Sequence, residues 1–332
     1  MRKNRILLFS ILFATLVIIA SLSVILIFNK GPAYLPHDPI RIEGNSGFST
    51  SNGIISGSGT ASDPYIIAGW EINTTTADGI RIENTDAFFV LQNVSVKNGG
   101  RVGIYGIFLY NVVNAKIVYN DCTMSNYGIR LISSSKNILS NNNCSNNQYG
   151  IFVESSSNNT ISNNNCSEAL YGICLNESES NIVVDNLCSW NECNIVLDSS
   201  RGNSIRMNDC LYGIDSNIYL NESSDNRLSE NRIYTIRHGI YISSGMNNTI
   251  WNNTFWTYGD GILSHAYDNG TNNHWNSTDG YGNHWDDWTA VDLPYTIAGS
   301  AGAKDYHPLS RAIELHYMSV GLNEYSNFKQ VP

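Results

Sequence analysis

The chain repeats itself with a period of about 22 residues, and a fixed period in that range means a solenoid. Aligned on a recurring Gly-Ile or Asn-Ile pair, its rungs begin at Gly79, Gly106, Gly128, Gly150, Gly172, Asn194, Asn217, Gly239 and Gly261, at spacings of 27, 22, 22, 22, 22, 23, 22 and 22. The second position is isoleucine in every rung, from Ile80 and Ile107 through Ile240 and Ile262. Two residues on stand Ile82, Leu109, Leu131, Val153, Leu175, Leu197, Leu220 and Ile242. Apolar residues at i and i+2 mark one face of a strand, whereas a helical repeat would set them three and four apart. A second inward column runs Val90, Ile117, Leu139, Ile161, Val183, Ile205, Leu228 and Ile250. The expected fold is therefore all-β: a right-handed parallel β-helix over 79–281, with about nine rungs of that period. A linker and N-terminal cap would occupy 31–78, a C-terminal cap 282–310 and a tail 311–332.

Polar residues keep the same period. Asn93, Asn120, Asn142, Asn164, Asn186, Asn208, Asn231 and Asn253 form one column, and Asn137, Asn159, Asn181, Asn203, Asn226 and Asn248 another. Asparagine suits tight turns, and stacked amides can bond along the axis at ~4.8 Å spacing. Cys122, Cys144, Cys166, Cys188 and Cys210 share a column that continues as Ile233 and Phe255, so they are expected in the core. Parallel side chains on adjacent rungs disfavour a disulfide, and Cys174 and Cys193 fall in columns too far apart to bridge.

At the N-terminus, Arg2, Lys3 and Arg5 precede an unbroken uncharged run, Ile6–Phe28. That is long enough to cross ~30 Å of hydrocarbon and longer than the usual core of a cleaved leader, about 7–15 residues. The expectation is an N-terminal transmembrane helix within residues 1–30, an uncleaved signal anchor. It would give a single-pass protein of the cell membrane, with lipid as partner through residues 6–28 and the β-helix outside the cell. Cleavage after Ala20–Ser23 is the alternative. All 29 acidic residues lie beyond residue 30, with 15 of the 19 basic ones. Such an acidic body argues against nucleic acid as a partner and disfavours direct grip on polyanionic sugars unless a bridging cation intervenes.

Two end segments carry a family resemblance. Gly57-Ser-Gly-Thr-Ala-Ser-Asp-Pro-Tyr-Ile-Ile precedes the first rung; Gly282-Asn-His-Trp-Asp-Asp-Trp288, Leu293-Pro-Tyr-Thr-Ile297 and Asp305-Tyr-His-Pro-Leu309 follow the last. These resemble the entry and exit motifs of NosD-like β-helix proteins, over roughly residues 40–310. The resemblance implies the β-helix fold, an association with carbohydrate or sugar-hydrolase-like chemistry, and, through the family's namesake, copper-site assembly. Tyrosine is common in that family where this chain has His284.

The candidate chemistry is sparse. Asn84-Thr85-Asp86 is similar to the Asn-Thr-Asp of β-helix polygalacturonases, but the next rung offers Asn111, Val112 and Val113 where those enzymes have a pair of aspartates. Glu154 and Asp198 share an outward column two rungs apart, ~9.6 Å, and are the weak catalytic candidates, with Arg130 nearby. His265, His274 and His284 near the exit are the weak metal candidates, and no cofactor is expected. Phe108, Tyr110, Phe152, Tyr219 and Tyr241 alternate with the inward columns, so their rings are expected to face solvent as ligand contacts suited to sugar. The expected function is a membrane-anchored extracellular binding or structural β-helix associated with carbohydrate, meeting cell-surface glycan or surface proteins. One alternative is a polysaccharide lyase or hydrolase acting on the outer sheet face; another is the copper-assembly accessory that the resemblance implies.

Overall fold

The computed structural model describes residues 34–97, 103–259, 261–289 and 293–310. They form a right-handed parallel β-helix with three faces. Sheet I has ten strands, from Ile40–Glu43 and Ile80–Thr85 through Tyr149–Glu154 to Ser264–Asp268. Sheet II also has ten, from Ile54–Ser56 to Thr249–Trp251. Sheet III is in two pieces: four strands ending at Asp121–Thr123, and five from Leu187–Ser189 to His284–Trp285. Single bridges, Asp121 to Asn143, Asn143 to Asn165 and Asn165 to Leu187, join the pieces.

The expected columns fill the interior. Ile80, Ile107, Ile129, Ile151, Ile173, Ile195, Ile218 and Ile240 are fully buried, and so are the five stacked cysteines, all of them free thiols. Glycine precedes the isoleucine because the rungs touch there. A β-carbon on Gly150 would lie 2.5 Å from the Gly172 carbonyl oxygen and 2.9 Å from the Cys166 β-carbon.

Each asparagine ladder is a continuous buried chain of hydrogen bonds. The Asn186 Oδ1 accepts from the Asn164 backbone N–H at 2.9 Å and from its Nδ2 at 3.0 Å. Its own Nδ2 donates to the Ile161 carbonyl at 2.9 Å and to Asn208 Oδ1 at 3.0 Å. Left-handed backbone angles fall not on these residues but on those just before them, such as Asn141, Asn163 and Asp185.

Several expectations need correction. In the long rung that begins at Gly79 the columns slip by one: Leu91, not Val90, is buried and pairs with Ile117, and the Val94 N–H, not Asn93, meets the Asn120 amide. Strand Ile40–Glu43, expected in the cap, is a tenth strand of sheet I, with Ile40 and Ile42 in the core. The last strand lies at Ser264–Asp268 rather than at Gly261-Ile262, so Ala266 follows Ile240 and His265 ends the glycine column. Trp275, Trp285 and Ile297 close that end of the core.

The membrane expectation is also withdrawn. Among the described residues no helix is long and apolar enough to cross a membrane, and two 3-10 turns are the helical content. Residues 6–28 lie outside the described residues, as does the tail 311–332. The transmembrane helix, the lipid partner and the single-pass location are no part of the fold described here.

Candidate functional site

Alternation along each strand of sheet I turns three columns to its outer side. The first is Tyr105, Tyr127, Tyr149, Tyr171, Cys193 and Ser216; the second is Arg81, Phe108, Arg130, Phe152, Cys174, Val196, Tyr219, Tyr241 and Tyr267. The third is Glu83, Tyr110, Ile132, Glu154, Asn176 and Asp198. The face is thus an aromatic sheet interrupted by a few charges.

Its polar centre is Arg130. The guanidinium lies 5.2, 4.8 and 5.4 Å from the ring centres of Tyr105, Tyr127 and Phe152. Its Nη1 donates to the Tyr105 hydroxyl at 2.8 Å and its Nη2 to Glu154 Oε2 at 2.8 Å. The Nε is buried and has no partner among the described residues. Burial opposes the charge, yet the bond to Glu154 and the surrounding phenols leave the guanidinium pKa above its usual value. Burial also pushes up the phenols of Tyr127, Tyr149 and Tyr171.

The five expected ring contacts divide. Phe108 is 4% exposed, covered by the Arg81 guanidinium at 4.3 Å and by Tyr105 at 4.9 Å, which leaves no face for a ligand. Tyr110 is 40% exposed. Phe152 is half-buried and edges against Tyr127 and Tyr149. Tyr219 and Tyr241 stack at 5.6 Å and the row continues to Tyr267 at 4.9 Å, so they turn edges outward rather than faces. Between the two ring groups Cys174, Cys193 and Val196 form a small apolar cluster, where burial pushes the Cys174 thiol up to about 12.

Of the two carboxylates, Glu154 is held by Arg130 and Asp198 accepts from Asn221 Nδ2 at 2.8 Å, with Asn176 on the rung between them. The Asn84-Thr85-Asp86 turn is part of an amide-lined hollow that bonds to itself: Asn45 Nδ2 donates to Asp86 at 2.7 Å and Asn111 Nδ2 to Asn84 at 2.9 Å.

The three histidines do not come together. Buried His265 meets Asp286 Oδ1 at 2.7 Å and Asp287 Oδ1 at 3.7 Å through Nε2, and among the described residues this is the one group of three that could surround an ion. The Asp286 carboxylate already accepts from the Thr257 backbone N–H and hydroxyl, and Asp287 from the Tyr295 hydroxyl. His274 bridges to Thr249 at the end of sheet II. Half-buried His284 pairs with Thr254 on sheet III, and its Nδ1 is buried without a partner among the described residues.

The sequence patterns above do not single out a second aromatic row: Trp190, Tyr212, Tyr234, Trp256 and Tyr258 on and beside sheet III. The one-rung step from Trp190 to Tyr212 is the signal that could have found it.

Residues 92–290 match the family described as periplasmic copper-binding protein (NosD). No curated protein matches the chain. Among solved structures, the Dettilon tailspike protein aligns with a TM-score of 0.53 at 17% identity, covering 65% of this chain and 53% of its own, so this chain spans about half of that protein. The alginate lyase from Paenibacillus sp. str. FPU-7 aligns with a TM-score of 0.53 at 12% identity, covering 74% of this chain and 97% of its own. At such identities the likeness shows a common β-helix fold.

Proposed function

We propose that this chain, which belongs to the NosD family, acts on a polysaccharide laid across the outward face of sheet I, by elimination at a uronate unit held at Arg130. The observation that carries this reading is the Arg130 guanidinium, fixed among three rings beside Glu154 with its Nε unbonded. Elimination needs a cation against the sugar carboxylate and a base for the proton on the neighbouring carbon. Arg130 supplies the first, a local cation set against the acidic balance that disfavours polyanionic sugars elsewhere on the chain, and Glu154 the second. As that proton leaves, the bond from the next ring carbon to the bridging oxygen breaks, a double bond forms in the sugar, and the oxygen takes a proton from solvent. Tyr110 and Phe152 at the centre, and the edges of Tyr219 and Tyr241 farther along the same face, serve as sugar contacts. The alginate lyase that shares the fold gives a precedent for such chemistry on this scaffold.

Hydrolysis by two carboxylates is disfavoured. Asp198 stands ~9.6 Å from Glu154, at the far end of the inverting range, and accepts from Asn221.

The family's name also carries copper, and the residues described do not fit it. Copper favours thiolates, thioethers or several imidazoles. The stacked thiols are fully buried, and burial pushes Cys122, Cys166 and Cys210 well above the ordinary thiol range. The one convergent group has a single imidazole, already bonded to Asp286.

Alginate and polygalacturonate provide the test, read by ultraviolet absorbance of unsaturated ends. Arg130→Lys and Glu154→Gln are each expected to slow product formation by at least about a hundredfold, and Asp198→Asn to leave it nearly unchanged. Reducing ends without absorbance would mean hydrolysis. No product from any uronate polymer would sink the reading.

A further inference from the structure

We infer that the aromatic row on sheet III is a second glycan surface, which holds an uncharged stretch of polysaccharide along the solenoid axis. It rests on the carbohydrate reading above but uses a different face and different residues.

The backbone gives the first reason. Trp190 follows strand Leu187–Ser189 at its corner, Tyr212 holds the equivalent position one rung on within strand Asp209–Gly213, and the corresponding residues on earlier rungs are Met124, Asn146 and Glu168. All five have φ of 56–58°. Asparagine or glycine takes that conformation at little cost, whereas a bulky ring there is an outlier. Tyr212 also sits where the pairing with Arg232–Thr235 shifts register, a bulge that re-aims its side chain. The left-handed angle recurs at corners along the solenoid, so what sets Trp190 and Tyr212 apart is the bulky ring carried there.

The rings then make a row. Tyr212 stacks on Trp190 at 4.7 Å, and Tyr258 closes on Tyr212 at 4.6 Å and on Trp190 at 6.3 Å. Tyr234 and Trp256 carry it onward, at 5.8 and 4.9 Å from one ring to the next. Trp190 is 49% and Tyr258 46% exposed. Among the described residues the hydroxyls of Tyr212, Tyr234 and Tyr258 and the indole N–H groups of Trp190 and Trp256 form no hydrogen bond within the chain. Apolar ring area edged with unused hydrogen-bonding groups matches a sugar, which has C–H faces and a rim of hydroxyls.

Charge selects among occupants. Asp209 and Arg232 beside the row bind each other through both carboxylate oxygens, so their charges are spent internally. The corner before Trp190 carries Glu168, and the chain is net negative at −10. An anionic polymer would find no cation in the row and a repulsive surround; an uncharged glycan segment meets neither penalty.

The test is retardation of the whole chain in native gels cast with a soluble β-glucan, glucuronoxylan or alginate. Wild type is expected to be retarded by the β-glucan or the glucuronoxylan more than by alginate. Trp190→Asn and Tyr258→Ala should each weaken that retardation about threefold to tenfold. Trp190→Asn installs the residue found at Asn146, so its melting temperature should hold or rise while binding falls. Wild-type retardation that both variants retain overturns this surface while leaving the reading of sheet I standing. Absence of retardation overturns it too, and formation of unsaturated ends reports on sheet I separately. Self-association abolished by Trp190→Asn, with no effect of polysaccharide, would reassign the row to contact between protein molecules.

Discussion

At the residue scale the buried amides tie each rung to the next. Asn164, Asn186 and Asn208 each accept from the preceding rung and donate to both neighbours, so one truncation removes bonds on both sides. Asn186→Ala would leave the Asn164 N–H buried without a partner and take one donor from the Ile161 carbonyl and one from Asn208 Oδ1. At ~1–3 kcal/mol for the unsatisfied group and ~0.5–1.5 kcal/mol for each further bond, urea unfolding should show a loss of about 2–6 kcal/mol. Asn163→Gly, at an exposed left-handed turn one residue before a ladder, should stay within about 0.5 kcal/mol of wild type. Equal losses at the two positions would mean that the ladder adds nothing beyond turn geometry. The period marked the ladder residues but not this division of labour, because residues 163 and 164 are both asparagine and differ in backbone angle alone.

At the element scale the C-terminal cap is the place to look for pH sensitivity. Strand His284–Trp285 lays Trp285 on Phe255 at 4.3 Å and leaves the His284 Nδ1 buried without a partner among the described residues. Burial is the largest influence on that imidazole and lowers its pKa, against the opposing pull of Asp286. The unfolded chain therefore takes up a proton near its ordinary value of ~6.5 that the folded cap resists. The stabilisation is complete above about pH 6.5 and is lost as pH falls through the window beneath it. The protection of the Trp285 amide, taken relative to its intrinsic exchange rate, should fall on acidification across that window, and His284→Tyr should flatten the response. An unchanged profile in the variant would place the sensitivity in another group. His284 reads from the sequence as a metal candidate; the structure puts it on a half-buried strand edge, a placement that depends on pairing with Thr254 in the preceding rung.

For the whole molecule, each rung contacts its neighbours and little else, so stability should rise roughly rung by rung. Removing residues 150–171, one full rung, keeps every later column in register. That variant should keep its β-rich circular dichroism and one cooperative melt at lower temperature. Removing residues 150–160, about half a rung, should abolish the melt, since a partial turn carries core residues to solvent. Survival of the half-rung deletion would refute the register argument.

The repeat by itself determined the solenoid, its inward columns and its thiol stack, because stacking identical rungs turns a linear period into a buried column. It misled where the pattern was locally ambiguous. Phe88-Phe89-Val90-Leu91 is apolar throughout and shows no alternation to set the register, and Gly261-Ile262 imitates a rung start ahead of the true strand. Function was less legible still. The repeat sets Arg130 near Glu154, but the packing of Tyr105, Tyr127 and Phe152 around its guanidinium depends on the folded strand pairing. Trp190 and Tyr258 stand far apart in the chain, and the coil of the solenoid brings their rings to 6.3 Å. Sequence period encodes what each residue stacks upon; which side chains share a face depends on corners, bulges and strand pairing, and these exist only in the folded chain.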